Sequence, residues 1–232
     1  MSSTDKRALI VGASRGLGLG LVGELLQRGW SVVATVRDPA RAEGLKQLAA
    51  RHSGKLEIER IDVDQPADLD ALAKRVAGRL NLVFVNAGIA GPANATAATA
   101  KREEVSQIMW TNAVSPIRIA ERLLPHVVEG GTVAFMSSVL GSITENTSGG
   151  YDLYRISKAS LNMLARGFAA AHAQRSGITV LSLHPGWVRT DMGGASAPLG
   201  VEESVRGLAN VLETPHARRH LYLDYQGREI PW

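Results

Sequence analysis

Cysteine is absent from the 232 residues of this sequence. Its absence excludes disulfide bonds, thiolate metal sites, a cysteine nucleophile and cysteine-linked lipid anchors. A chain without cysteine fits a reducing compartment, and we therefore expect this protein in the cytoplasm.

Long hydrophobic runs are also missing. The N-terminal stretch MSSTDKRALIVGA has no apolar core of signal-peptide length, and no later segment approaches the length of a membrane span. We expect a soluble protein that does not bind membranes.

Neither sign of charge dominates the composition. Lys and Arg number 26, Asp and Glu number 22, and the basic residues are scattered instead of gathered in a block. Such an excess favours an anionic small ligand over nucleic acid, which we do not expect as a partner. Apolar residues make up 45% of the chain, enough for one sizeable core, so residues 1–232 are predicted to form a single domain.

Short runs rich in Val, Leu and Ile alternate with longer stretches of helical periodicity. The predicted strands are 7–12, 31–36, 56–61, 81–88, 131–138, 178–186 and 220–225. The predicted helices are 17–29, 41–52, 66–78, 104–128, 154–175 and 202–213. This alternation predicts an α/β fold with a doubly wound parallel sheet of the Rossmann type, about seven strands wide and covered by helices on both faces. A ligand would bind at the carboxyl ends of the strands.

The first predicted strand runs directly into GASRGLGLG, which places Gly12, Gly16 and Gly18 just before a helix. Glycines there allow a tight turn and close approach to a pyrophosphate, whose charge would lie at the positive helix N-terminus. A merely tight strand-to-helix turn is the alternative. Because the motif follows the first strand and precedes a helix, we interpret it as a dinucleotide site.

The end of the second predicted strand bears on the choice of nucleotide. An NAD site of this fold usually has an acid there for the ribose 2′-hydroxyl, whereas a 2′-phosphate is bound by arginine. Here Val36 occupies the acid's place, Arg37 follows, and Arg15 lies inside the glycine loop. The alternative is that both arginines are solvated surface charges, with Asp38 partly neutralising Arg37. We predict NADP(H) as the cofactor.

Seven motifs occur along the chain in the order that one family shows. They are GASRGLG at 12–18, IDV at 61–63, NAG at 86–88, TNAVSP at 111–116, MSS at 136–138, YRISK at 154–158 and PGWVRTDM at 185–192. With these motifs the sequence resembles the short-chain dehydrogenase/reductase family over essentially its whole length. The stretch 141–163 and the ending GREIPW are most similar to the carbonyl reductases grouped with the C-factor and sniffer proteins.

The resemblance implies NADPH-dependent reduction of an aldehyde, ketone or diketone to an alcohol. The implied catalytic residues are Asn112, Ser138, Tyr154 and Lys158. Tyr154 would donate the proton and Ser138 would hydrogen-bond the carbonyl oxygen. Lys158 would lower the pKa of Tyr154 and hold the ribose, and Asn112 would order a water chain. An NADP(H)-binding sensor with little catalysis is the alternative function.

The resemblance also implies a set of cofactor-binding residues, in which Asp62 would hydrogen-bond the adenine. The set comprises Gly12, Ser14, Arg15, Gly16, Leu17, Gly18, Arg37, Asp62, Val63, Asn86, Ala87, Gly88, Tyr154, Lys158, Pro185, Gly186, Val188, Thr190 and Met192. No metal is predicted, and family likeness indicates a homodimer or homotetramer. The segment between Met192 and Val201 is short and built of small residues, which favours an open site and a broad or bulky carbonyl substrate.

Two tyrosines compete for the catalytic role, because each has a cation four residues further on: Arg155 follows Tyr151, and Lys158 follows Tyr154. A positive charge one helical turn away would stabilise a phenolate in either pair, so spacing alone does not decide. The usual family separation leads from Ser138 to Tyr151, and Tyr154 lies three residues beyond it. The lysine of the family pattern still favours Tyr154.

The choice of Tyr154 requires room for three extra residues. We expect the loop ITENTSGG, residues 143–150, to hold them, because loop length is tolerated where the flanking elements stay in place. The longer loop leaves Ser142 as an alternative to Ser138. Ser138 is favoured because it directly follows the fifth strand, with Ser137 pointing to the other face.

Overall fold

A parallel sheet forms the centre of the computed structural model, which describes residues 6–76, 79–92, 94–216 and 220–232. The seven strands in these ranges are β1 (Arg7–Val11), β2 (Ser31–Val36), β3 (Leu56–Arg60), β4 (Leu80–Val85), β5 (Val127–Met136), β6 (Thr179–His184) and β7 (His220–Asp224). Their order is β3-β2-β1-β4-β5-β6-β7. The chain therefore reverses its direction of progress between β1 and β4, where sheets of this type have their binding crevice.

Helices cover both faces of the sheet. Within the described ranges they are α1 (Gly16–Gln27), α2 (Glu43–Arg51), α3 (Pro66–Arg75), α4 (Arg102–Met109), α5 (Ser115–Leu123), α6 (Asp152–His172) and α7 (Val201–Glu213). None of them combines the length and the apolar composition that a membrane crossing needs.

The core consists of two layers, one on each side of the sheet, because alternate strand residues point to opposite faces. In β1, Ala8 and Ile10 belong to the layer under α1, α2 and α7, whereas Leu9 and Val11 belong to the layer under α3, α5 and α6. Burial on both faces explains why the strands are continuous apolar runs in the sequence. The predicted Rossmann-type fold is confirmed.

The long helix predicted over 104–128 is wrong. The structure divides it into α4, a π-helical turn at Trp110–Val114, and α5, which has Pro116 in its first turn. Proline lacks the N–H that would continue a regular helix, and its ring crowds the preceding turn. A single π-helical turn within a longer helical segment is frequent at functional sites.

The fifth strand also begins earlier than predicted. A short 3₁₀ turn containing Pro125 ends the helical segment, and Val127 already pairs with Leu80 of β4. The register shifts between Leu80 and Leu82, and Gly130 adopts a φ of +78°. The irregular start, with two adjacent glycines, hides the strand from a periodicity argument.

Candidate active site

The glycine loop joins β1 to α1 and packs against the segment that follows β4. Gly12 has a φ of +85°, and a Cβ added there would lie 2.8 Å from the Cα of Ala87. A Cβ at Gly18 would collide with the carbonyl oxygen of Gly12, which accepts a 2.7 Å hydrogen bond from Asn86 Nδ2. Gly16 has a φ of +55°. The loop therefore has no room for a Cβ at Gly12 or Gly18. The first N–H groups of α1 have no partner within the helix.

The same loop contacts the end of β2. The Ala13 N–H donates to the Thr35 carbonyl at 2.9 Å, while Ser14 is exposed and Leu17 is half-buried. Sequence reasoning missed the importance of Gly20, where a Cβ would lie 2.7 Å from Cγ1 of Val201. Its lack of a side chain allows α1 and α7 to pack closely.

The cation predicted to select the nucleotide lies just beyond β2. Arg37 is exposed, and within the described ranges no hydrogen bond or ion pair involves its side chain. Asp38 does not pair with it: its carboxylate accepts from the Ala40 N–H at 3.0 Å and lies 3.8 Å from Arg41 Nε. Val36 is buried. Arg37 is thus available to an anion, and Arg41 is a second exposed cation that sequence reasoning did not single out.

Two aspartates follow β3. Asp62 Oδ1 accepts from the Asp64 N–H at 3.1 Å, and Val63 packs against the core. Asp64, which was not predicted to matter, accepts 2.9 Å hydrogen bonds from Thr111 Oγ1 and Gln107 Nε2. Its carboxylate ties the end of β3 to the π-helical turn.

The segment after β6 is fixed by its own contacts. The Pro185 carbonyl accepts from Ser204 Oγ at 2.7 Å. Gly186 has a φ of +84°, and a Cβ there would lie 2.8 Å from Cδ2 of Leu199. Val188 is buried and pairs with Leu199.

The continuation of this segment reaches the glycine loop. Thr190 Cγ2 lies 3.5 Å from the position of a Cβ on Gly16, and Arg15 Nη1 lies 2.7 Å from Asp191 Oδ2. Both members of this ion pair are exposed, so it contributes little to stability. Met192 is 52% exposed. Arg15 therefore links the glycine loop to the segment after β6.

Asn112 is fully buried in the π-helical turn and uses both ends of its amide. Oδ1 accepts from the Ile89 N–H at 2.8 Å, and Nδ2 donates to the Ile89 carbonyl at 2.8 Å and to Ser157 Oγ at 3.0 Å. A Cβ added to Gly88 would lie 3.2 Å from Oδ1. Asn112 thus holds the segment after β4 against α6.

Lys158 is buried and donates from Nζ to the Met136 carbonyl at 2.8 Å. Nζ lies 5.5 Å from the centroid of the Tyr154 ring and 3.5 Å from the position of a Cβ on Gly88. Burial lowers the pKa of Lys158 to about 8. The ammonium is therefore still mostly protonated at neutral pH.

Tyr154 and Ser138 meet above the end of β5. Burial raises the pKa of Tyr154 to about 12, and hydrogen bonding with the Ser138 side chain acts in the opposite direction without reversing the shift. The net shift is upward because desolvation dominates, and the nearby Lys158 ammonium donates to the Met136 carbonyl. Tyr154 is accordingly a neutral phenol, the form that can give up a proton.

The three neighbouring serines have different partners. Ser138 Oγ accepts from the Leu140 N–H at 3.2 Å and is the serine that interacts with Tyr154. Ser142 Oγ instead donates to the Pro231 carbonyl at 2.5 Å. Ser137 Oγ donates to Asn162 Oδ1 at 2.7 Å, on the opposite side of the strand. The geometry therefore brings Ser138 to Tyr154 and leaves Ser142 with the C-terminal segment.

Tyr151 and Arg155 do not form a pair. Tyr151 is 67% exposed, whereas Arg155 is buried and its guanidinium donates to the Gly150 carbonyl at 2.8 Å, and to the Gly149 carbonyl and Ser148 Oγ, both at 3.1 Å. These bonds hold the end of the longer loop, as the choice of Tyr154 requires.

Tyr222 of β7 contacts Ser138. Sequence reasoning missed it because an aromatic residue in a strand is typical of a core position. Its hydroxyl donates to the Ser138 carbonyl, and its ring centroid lies 5.0 Å from that of Trp232. Burial raises the pKa of Tyr222 to about 12. The phenol therefore remains a donor at all ordinary pH values.

Known proteins resemble the chain in both sequence and structure. A model of the short chain dehydrogenase family matches residues 6–198. C-signal of Myxococcus xanthus is 38% identical over 160 residues, which are 67% of this chain and 94% of that protein. A solved carbonyl reductase from Pseudomonas aeruginosa, in complex with NADP, is 40% identical with a TM-score of 0.91, covering 99% of this chain and all of that one. The carbonyl reductase Sniffer of Drosophila melanogaster is 34% identical with a TM-score of 0.91, covering 98% of this chain and all of that one.

Proposed function

Because this chain belongs to the short chain dehydrogenase family, we propose that it reduces a carbonyl group to an alcohol with NADPH as the hydride donor. The observation that carries the proposal is the meeting of three groups beside the crevice. The neutral phenol of Tyr154 interacts with the Ser138 side chain, and the buried ammonium of Lys158 lies 5.5 Å from the phenol ring.

The residues present fit NADP(H), the cofactor of the Pseudomonas aeruginosa relative. The glycine loop has no space for a Cβ at Gly12 or Gly18, and it offers the start of α1 to a pyrophosphate. Arg37 is an exposed and unpaired cation within the described ranges, suited to a 2′-phosphate. Lys158 would hold the ribose, and Thr190 the nicotinamide end. When bound, the cofactor supplies the hydride.

The side chains of this chain supply the proton and hold the substrate. Ser138 hydrogen-bonds the carbonyl oxygen, and Tyr154 donates its proton to that oxygen as the carbonyl carbon gains two electrons and a hydrogen. The tyrosine becomes a phenolate, which the Lys158 ammonium stabilises at short range in a site of low dielectric constant. The positive charge of Lys158 is present before the reaction and favours transfer of the proton from Tyr154.

Asn112 takes a positioning role in this proposal. Its amide is occupied by Ile89 and by Ser157, the residue before Lys158. These bonds hold α6 against the segment after β4, and so help to position Lys158. The water chain expected from the sequence stays a prediction.

One observation favours a second candidate, an NADP(H)-binding signalling protein with little catalysis. The Myxococcus xanthus relative is named C-signal. A protein that only binds the cofactor needs the glycine loop but has no use for a buried lysine beside a tyrosine, which is unfavourable to maintain. We therefore favour the reductase.

The first prediction concerns Tyr154→Phe, which removes the proton donor and leaves the ring. The value of kcat should fall by about 10²–10⁴-fold, the usual contribution of a positioned acid. The dissociation constant of NADPH, measured by its fluorescence, should change less than twofold. Tyr225→Phe is the matched control, because among the described residues the only side-chain hydrogen bond to that hydroxyl comes from the Gln226 amide. An active Tyr154→Phe together with an inactive Tyr151→Phe would transfer the role to Tyr151.

The second prediction concerns pH. Reduction requires a protonated Tyr154, whose pKa of about 12 keeps it neutral, and a charged Lys158, whose pKa is lowered to about 8. Loss of the lysine proton should therefore make kcat/KM for the carbonyl level below pH 8 and falling above it, by about tenfold per pH unit. A profile level from pH 6 to pH 10 would show that the charge of Lys158 is not needed.

The third prediction concerns Arg37→Ala. Losing a charge-assisted hydrogen bond to a phosphate should raise the KM for NADPH by about 10–100-fold and leave the KM for NADH unchanged. Steady-state assays with both nucleotides measure this, with Arg51→Ala as the control for an exposed arginine on α2. An unchanged preference between the nucleotides would exclude Arg37 from the 2′-phosphate site.

A further inference from the structure

We propose that Tyr151 contacts the body of the carbonyl substrate, beyond the reacting group, and so sets which substrates the site accepts. This inference rests on the proposed reductase function and adds a specificity-determining residue to it. Tyr151 adopts a strained backbone conformation, and no contact of its side chain with the described residues offsets the strain.

Tyr151 is held in an unfavourable conformation. With φ of 55° and ψ of 36°, it is left-handed, and among the described residues it is the one non-glycine residue with positive φ. The two preceding residues, Gly149 and Gly150, are also left-handed, at φ of +63° and +73°. Glycine adopts this region freely, but a bulky aromatic residue does so rarely and under strain.

The side chain of Tyr151 gains nothing from the rest of the fold that would offset this strain. It is 67% exposed, it makes no side-chain cap for α6, and no hydrogen bond or ring contact within the described ranges involves it. Strained residues that packing does not explain are concentrated at binding and catalytic sites. The tyrosine is therefore better explained by something outside the folded chain.

The rest of the loop is built to hold this conformation. Arg155, buried, donates to the carbonyls of Gly149 and Gly150, and its own N–H donates to the Tyr151 carbonyl at 2.8 Å. The Tyr151 backbone thus starts the first turn of α6. Arg155 thus binds the end of the longer loop, which places an aromatic ring one turn before Tyr154.

Tyr151 directly precedes α6 and lies three residues before Tyr154. The next residue, Asp152, accepts a 2.8 Å hydrogen bond from the Ala97 N–H, so the start of α6 lies where the segments after β4 and β5 meet. Ser138, which interacts with Tyr154, lies two residues beyond the end of β5. We therefore expect a substrate whose carbonyl reaches Ser138 and Tyr154 to enter through an opening between these segments, beside Tyr151.

The chemistry of this opening indicates an apolar substrate. Three other large apolar side chains are exposed on the loops after β5 and β6: Ile143, Trp187 and Met192 are 80%, 56% and 52% exposed. A tyrosine ring in such a setting offers an apolar face for ring stacking while its hydroxyl stays in water. Tyr151 should therefore favour carbonyls attached to an aromatic ring.

The test compares two aldehydes with the same reacting group, benzaldehyde and acetaldehyde. Tyr151→Gly and Tyr151→Asn remove the ring and tolerate the left-handed backbone, so both should raise the thermal unfolding midpoint, by about 2–4 °C for a chain of this size. Both should raise the KM for benzaldehyde about tenfold through loss of ring stacking and apolar contact. For acetaldehyde, kcat/KM should stay within twofold of wild type. Tyr151→Phe, which keeps the ring, should restore the KM for benzaldehyde.

Three results would overturn the proposal. A higher unfolding midpoint with an unchanged KM for benzaldehyde would show strain without a substrate contact. An equal loss with both aldehydes would show that Tyr151 acts by positioning Tyr154. A wild-type protein that binds NADPH but reduces neither these aldehydes nor any other carbonyl would contradict the reductase function itself, and this inference with it.

Discussion

The hydrogen bond from the Lys158 ammonium to the Met136 carbonyl is the contact on which the candidate site depends. A charge that is removed from water needs a polar partner, and here the Met136 carbonyl is that partner. Gly141 and Gly88 also border Lys158. Gly141 has no room for a Cβ against the backbone of Lys158, and Gly88 borders the ammonium itself. Because the lysine joins α6 to the end of β5, it also determines that Tyr154 meets Ser138.

Much of the fold followed from the sequence because its signals are local. Continuous apolar strands, helical periodicity and the glycine loop predicted the parallel sheet, and the solved relatives agree with it. The errors arose where two elements join without a composition change. The π-helical turn at Trp110–Val114 and the early start of β5 at Val127 depend on Pro116, Pro125 and a register shift. Hydrophobic periodicity records neither the two prolines nor the register shift.

The sequence indicated the residues of the candidate site, but their pKa values depend on burial, which the sequence does not record. Spacing could not separate Tyr151 from Tyr154, because the answer lies in the carbonyls that Arg155 binds. The sequence places Lys158 one turn from Tyr154 and so predicts a lowered tyrosine pKa, whereas burial raises this pKa. The phenol of Tyr154 is consequently neutral at neutral pH, whereas the ammonium of Lys158 beside it is mostly charged.

Tyr222 and Asp64 were missed because their partners, Ser138 and Thr111, are distant in the chain.

Hydride transfer to a carbonyl is the central claim, and isotope labelling tests it most directly. The purified protein would be supplied with NADPH carrying deuterium on the transferring face of carbon 4, together with a panel of aldehydes, ketones and diketones. Carbonyl reduction should give an alcohol that is one mass unit heavier, with the deuterium on the former carbonyl carbon. NADPH that binds but delivers no deuterium to any member of the panel would contradict the reductase function and favour the signalling protein.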